Sequence, residues 1–125
     1  MSGNPVLIIE DDQDLRGTMK DLLELQGFEA VTAANGQEGL SRLNEMAGCG
    51  MILLDLMMPV MNGWEFLDIL RQQEGRRFGN IPVVVVSAAA SGSPQENRYG
   101  CTVIRKPVDV ALMMALVERH CRGGS

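Results

Sequence analysis

No run of Lys and Arg longer than a pair occurs in the 125 residues, the pairs being Arg76-Arg77 and Arg105-Lys106. With 11 basic against 16 acidic side chains the net charge is −5, so the clustered cations that grip a nucleic-acid backbone or an anionic membrane are missing. Direct binding to either is not expected. Long hydrophobic runs are also lacking. The longest nearly apolar stretch, Ile81 to Ala90, is about half the roughly 20 residues that a spanning helix needs. The chain opens without the charged and apolar regions of a secretion signal, so export and membrane insertion are not expected. Cysteine is scarce and scattered: Cys49, Cys101 and Cys121 form neither an even disulfide set nor a Cys-x-x-Cys pair, which fits a reducing, cytoplasmic setting. There is no internal repeat, no low-complexity segment and no P-loop.

What remains is ordinary globular material. The composition is 46% apolar and 22% charged, and the length suits one domain over residues 1–125, with a core from about 5 to 122 and a flexible Gly123-Gly124-Ser125 tail.

Apolar runs of strand length alternate with segments of helical period along the whole chain, the pattern of an α/β fold. Val6-Leu7-Ile8-Ile9 is continuously apolar, as a parallel strand covered on both faces must be, and stops at Glu10-Asp11-Asp12. Leu15, Met19, Leu22 and Leu23 then mark one helical stripe, with Gly27 placed to cap it in a left-handed conformation. Phe28 to Thr32 reads as the second strand. Asn35 and Glu38 resemble a capping box for a helix whose Leu40, Leu43 and Ala47 face inward. Met51 to Leu54 is the third strand, ending at Asp55. After Pro59 and Gly63, Trp64, Leu67 and Leu70 define a third helix that ends near Gly75. Val83 to Val86 is the fourth strand, ending at Ser87, and Ala88 to Gly100 leaves room for a short helix opened by Ser93 and Pro94. Thr102 to Ile104 makes the fifth strand, and Asp109 opens a last helix with Leu112, Ala115, Leu116 and Arg119 along one side. Five strands alternating with five helices imply a single doubly wound sheet.

In such a sheet, side chains just beyond the C-terminal strand ends converge on one crevice. Those positions hold Glu10 and Asp11, Asp55, Ser87 and Lys106. Carboxylates crowded together repel, and a hard divalent cation such as Mg²⁺ relieves the repulsion through oxygen ligands. Asp11 and Asp55 can supply carboxylate oxygens and the following loop a backbone carbonyl, with Glu10 holding a bound water. Asp55 beside a metal, a lysine and a hydroxyl meets the requirements for phosphoryl transfer to a protein carboxylate. An ionised carboxylate needs no general base. For Asp12 and Asp14 the plainer reading, an acid-rich helix start favoured by the dipole, suffices. His120 near the end of the last helix also needs no function beyond that dipole, and the methionines other than Met57 read as adaptable packing.

The strand-end residues IleGluAspAsp, the LeuLeuAspLeuMetMetPro run through Asp55 to Pro59, Gly63, Ser87-Ala88 and Lys106-Pro107 resemble the receiver domains of two-component response regulators. The resemblance covers about residues 5 to 122. It implies a flavodoxin-like (βα)5 fold with strand order 2-1-3-4-5. It also implies Asp55 as phosphoacceptor, Glu10 and Asp11 as the acidic pair for Mg²⁺, Met57 as donor of a metal-bound backbone carbonyl, Ser87 as switch hydroxyl and Lys106 as the phosphate-contacting lysine. Pro107 matches a proline that is usually cis in the family. The implied partners are a histidine kinase or histidine phosphotransfer protein and a downstream protein target. The implied chemistry is limited to the domain's own aspartyl phosphorylation and dephosphorylation.

Two positions depart from the family pattern on its output face. Val103 stands where an aromatic is common, and the interval from Ser87 to Lys106 is about three residues short, with Ser, Gly and Pro concentrated in it. They support an alternative reading, a degenerate receiver acting as a constitutive protein-binding module. A phosphatase or mutase with an aspartyl nucleophile fits less well, because position 57 is Met where such enzymes generally use Asp-x-Asp. A flavin binder lacks its Ser/Thr/Gly-rich loop after strand one.

Overall fold

The computed structural model describes residues 4–55, 61, 63–72, 81–87 and 102–121, with Ser87 defined by its backbone alone. Within them the order is β1 (Val6–Ile9), α1 (Gln13–Leu25), β2 (Ala30–Ala33), α2 (Gly36–Glu45), β3 (Met51–Asp55), α3 (Gly63–Gln72), β4 (Val83–Ser87), β5 (Thr102–Arg105) and α4 (Val110–Cys121). The strands form one parallel sheet in the order β2-β1-β3-β4-β5. This is the doubly wound topology expected from the alternating pattern. The short helix expected between Ala88 and Gly100 lies outside the described residues, as do the tail at 123–125 and the helix end near Gly75.

Both faces of the sheet are covered, which is why β1 and β3 read as unbroken apolar runs rather than alternating ones. Leu7, Ile9, Ile52, Leu54, Val83 and Val85 point to one side, where Leu43 of α2 and Phe66, Leu67 and Leu70 of α3 meet them. Val6, Ile8, Met51, Leu53, Val84, Val86 and Ile104 point to the other, against Met19 and Leu23 of α1 and Met113 and Val117 of α4. The helix α2 comes unusually close to β1. At Gly39 an added Cβ would lie 2.5 Å from Ile9 Cδ1 and 3.3 Å from Phe66 Cε1, so a larger residue there requires the Ile9 side chain to move.

Local signals in the sequence act as expected at the helix ends. Asp12 caps α1, its carboxylate accepting from the N–H groups of Asp14 and Leu15. At the other end Gly27 has φ 89°, its N–H bonds to Glu24 O at 3.0 Å, and the Phe28 N–H reaches back to Leu23 O at 3.0 Å. These paired bonds make a Schellman motif, with Phe28 buried in the cluster that holds Leu23. That use of Phe28 explains why β2 begins at Ala30 and not at Phe28. Asn35 accepts from the Glu38 N–H at 2.8 Å, while the Glu38 carboxylate reaches back to the Ala34 N–H, one residue earlier than in a simple capping box.

Two expectations about buried faces are corrected. Ala47 is exposed and lies beyond α2, which ends at Glu45 with Met46 as its C-cap. In α4 the buried stripe is Met113, Val117 and Cys121, while Leu112 is 43% exposed and Ala115 also faces outward; Leu116 is half-buried and Arg119 exposed. The cause is visible in the sequence AlaLeuMetMetAlaLeuVal: apolar residues surround the helix, so periodicity alone does not select one stripe. Docking on the sheet decides it. Consequently Met113→Ala is expected to cost about 2–5 kcal/mol of unfolding free energy, and Leu112→Ala within about 0.5 kcal/mol of zero. Denaturant unfolding of the two variants checks the assignment.

Candidate functional site: an acidic cluster at the C-terminal sheet edge

Strand register builds the site. Ile9 pairs with Leu54, Asp55 with Val86, and Ser87 with Arg105, so the C-terminal ends of β1, β3, β4 and β5 stop at nearly one level. Side chains alternate along each strand, and Glu10, Asp55 and Lys106 each follow at two-residue spacing from Ile8, Leu53 and Ile104, all of the α1 and α4 face. The three polar groups are therefore the terminal members of three apolar columns. Their burial follows from that placement: Glu10 is 1% and Asp55 2% exposed.

The carboxylates of Glu10, Asp11 and Asp55 each offer one oxygen such that all three atoms lie within 4.8 Å of one another. Lys106 closes the group, its Nζ standing 3.2 Å from Glu10 Oε1 and 3.5 Å from Asp55 Oδ1. Glu10 Oε2 accepts from the Asp12 N–H at 3.1 Å. The Glu10 N–H donates to Ala33 O at 3.0 Å, and its own carbonyl accepts from Arg16 Nη1 at 2.7 Å. Asp11 is exposed and forms the solvent side of the cluster.

Electrostatics follow from the geometry. Burial pushes the Asp55 carboxyl up from the usual carboxylate range to about 7; the neighbouring Glu10 charge and contacts to Glu10 and Asp11 add to it, and Lys106 opposes it. For Lys106, burial works against its charge, yet attraction to Asp55 and Glu10 prevails and the ammonium is held above its ordinary value. One lysine thus leaves the acidic cluster short of positive charge.

The donor set suits a hard divalent cation. It consists of oxygen alone, its atoms are near enough to share one ion, and Glu10 Oε1 is buried with no hydrogen-bond donor among the described residues beyond the Lys106 ion pair.

The structure brings together Glu10, Asp11, Asp55 and Lys106 as the strand-end argument requires. Ser87 ends β4 at the same level, paired with Arg105, and its side chain lies outside the described residues, as does Met57. The Lys106-Pro107 peptide is cis. Val103 is half-buried against the cluster on the α2 and α3 face, as is Trp64. Arg16 was not singled out by the sequence reading, although one signal was there. It sits in the first turn of an acid-capped helix, where the dipole disfavours a cation, so a compensating partner was to be expected.

A carboxylate cluster and a lysine at the C-terminal edge of an open parallel sheet lie where doubly wound α/β domains hold their ligands. Comparison with known proteins specifies the class. The response regulator receiver domain family matches residues 6–118, and the chain belongs to that family. It is 42% identical over 83 residues to the transcriptional regulatory protein CpxR homolog of Haemophilus influenzae, covering 66% of this chain and 34% of that protein. It is 35% identical over 88 residues to CpxR of Escherichia coli K12, covering 70% of this chain and 35% of that protein. The match therefore spans about a third of the length of these relatives. Among solved structures, the receiver domain of Francisella response regulator 1452 superposes with TM-score 0.77 at 28% identity, covering 92% of this chain and 93% of that one. A CheY-like receiver domain protein from Methanospirillum hungatei JF-1 does so with TM-score 0.82 at 26% identity, covering 94% and 93%.

The raised Asp55 carboxyl has a consequence for stability. Between about pH 4 and the value near 7, the folded protein holds a proton that the unfolded chain has released, so this group's contribution to stability falls as pH rises. In EDTA, Asp55→Asn is expected to melt higher than the wild type at about pH 8, and the margin should vanish towards pH 4, where both forms are neutral. Thermal melts across that range check the sign.

Proposed function

We propose that the chain acts as a phosphorylation-dependent signalling receiver in which Asp55 accepts a phosphoryl group from a phosphohistidine of a histidine kinase or histidine phosphotransfer protein. The observation that carries this reading is the approach of Lys106 to Asp55 and Glu10, at 3.5 Å and 3.2 Å, across 96 residues of sequence between Glu10 and Lys106. A lysine in that place neutralises charge on a phosphoryl group bonded to Asp55, and its pull on Asp55 favours the ionised nucleophile.

In the transfer, one Asp55 Oδ forms a bond to phosphorus while the donor's P–N bond breaks and its electron pair returns to the imidazole, which takes up a proton from solvent. Glu10, Asp11 and Asp55, with the Met57 backbone carbonyl, would hold Mg²⁺, and a bound Mg²⁺ supplies neutralisation of phosphoryl oxygens. Glu10 and Asp11 lie on the loop after β1 and Asp55 at the end of β3, so that positioning is done by the rigid sheet. Ser87 is assigned a hydrogen bond to the phosphoryl group. The chemistry stays on the domain itself, with no separate substrate turned over. With Val103 in place of an aromatic, the output step in this reading is the ordering of residues 88–100, or onward transfer of the phosphate, rather than the movement of an aromatic.

A cytoplasmic place and a protein target downstream accompany this reading. Among the described residues no helix is long and apolar enough to cross a membrane. The relatives are named as transcriptional regulators and are about three times as long as the matched stretch, so the charge argument against nucleic-acid contact is confined to these 125 residues and is not supported for any longer protein. The alternative of a constitutive binding module is not favoured, since the acidic cluster and its lysine are complete.

Incubation with acetyl phosphate and Mg²⁺ followed by intact-mass measurement tests the assignment. A single phosphoryl adduct is expected for the wild type and none for Asp55→Asn. An adduct of equal yield on the variant would overturn Asp55 as the acceptor. Lys106→Ala should lower the yield under identical conditions by about 10-fold or more, in line with removal of one charge-stabilising donor.

A further inference from the structure

Glu10 is held at nearly every polar atom, by β2, by the N-terminal end of α1 and by the lysine that follows β5. Its N–H is bound by β2 through Ala33 O at 3.0 Å, its Oε2 by the Asp12 N–H at 3.1 Å, and its Oε1 by Lys106 at 3.2 Å. Its carbonyl is the shortest of these contacts, 2.7 Å from Arg16 Nη1 on α1. That carbonyl belongs to the peptide joining Glu10 to Asp11. The bond restrains the direction of this carbonyl, and with it the orientation of the peptide through which Asp11 leaves the end of β1. Asp12 is fixed in turn by capping α1 with bonds of 3.0 and 3.1 Å to Asp14 N and Leu15 N. Between two pinned neighbours, Asp11 is left with little freedom except to present its carboxylate to Asp55 and Glu10, with which it shares the 4.8 Å cluster.

The geometry points to Arg16 as a positioning residue for the acidic cation site, acting through the Glu10 carbonyl to orient Asp11 and thereby tying the first turns of α1 to Mg²⁺ affinity. This rests on the reading of the cluster as a Mg²⁺ site. Arg16 touches neither the phosphoryl group nor the metal in this account; its role is to hold the one Glu10 backbone acceptor that β2, Asp12 and Lys106 leave unrestrained.

Charge and geometry predict opposite signs, which makes the proposal decidable. A cation beside three carboxylates opposes the binding of a further cation, so removing it strengthens Mg²⁺ binding if Arg16 acts by charge alone. If Arg16 acts by position, its removal weakens binding, and losses of about 10-fold or more are typical when a partner behind a metal ligand is removed. The experiment is titration calorimetry of the full chain with Mg²⁺ alone, for wild type, Arg16→Met and Arg16→Lys, with a metal-free thermal melt to confirm folding.

The expected result is about a 10-fold weaker Mg²⁺ affinity for Arg16→Met, with Arg16→Lys, which keeps a donor on a flexible stem, falling between it and the wild type. Equal or tighter binding by folded Arg16→Met overturns the role of Arg16 and leaves the cation site standing. Absence of Mg²⁺ binding by the wild type overturns both. Should Arg16→Met fail to fold, Arg16→Gln provides the same comparison with a polar side chain.

Discussion

Two carboxylates buried side by side, with one lysine between them, set the terms for this domain. Glu10 and Asp55 are withdrawn from water at the ends of two neighbouring central strands, where the Glu10 charge adds to the cost of ionising Asp55. Lys106 offsets part of that cost and leaves the rest as stored electrostatic tension. The folded protein tolerates the arrangement because about two dozen buried apolar side chains lie beneath it on both faces of the sheet. In the proposed function, a cation or a phosphoryl group on Asp55 would change the balance at this one place, as a switch requires.

The scaffold transmits position to the site by simple means. Parallel register aligns the strand ends, alternation selects the face, and the apolar columns of Val6-Ile8, Met51-Leu53 and Val84-Val86 form a stiff floor. The helices contribute at their ends. Asp12 caps α1 and also donates its N–H to Glu10, so one residue completes a helix and restrains the site. Arg16, in the first turn of the same helix, bonds the Glu10 carbonyl. The site is thus supported by β2, α1 and β5 as well as by the strands that carry its carboxylates.

The fold was legible because β1, β3 and β4 are short apolar runs that stop at a polar residue, and the helix caps at Asn35 and the glycine at Gly27 have unambiguous local chemistry. The site was legible because acidic and basic residues interrupt these runs at one end only. What escaped the sequence reading has physical reasons. In α4 apolar residues occupy every side, so Met113 rather than Leu112 became the buried residue only when the helix docked. Phe28 is as good a strand residue as any, yet it is recruited to the Schellman turn that ends α1. Arg16 escaped because its partner is a backbone carbonyl, which carries no residue-type signature.

The amino-acid sequence by itself determined the order of strands and helices, the α/β class and the residue types collected at the strand ends, since these depend on local periodicity and on which residues break an apolar run. Only the tertiary structure decided how near those residues come and what their neighbours do to them. Distances of 3.2 and 3.5 Å from Lys106 to Glu10 and Asp55, and an Asp55 carboxyl raised to about 7, arise from burial and from charges far apart in the chain. Desolvation and Coulomb interactions are functions of position in space, so they come into being when the sheet closes over its core.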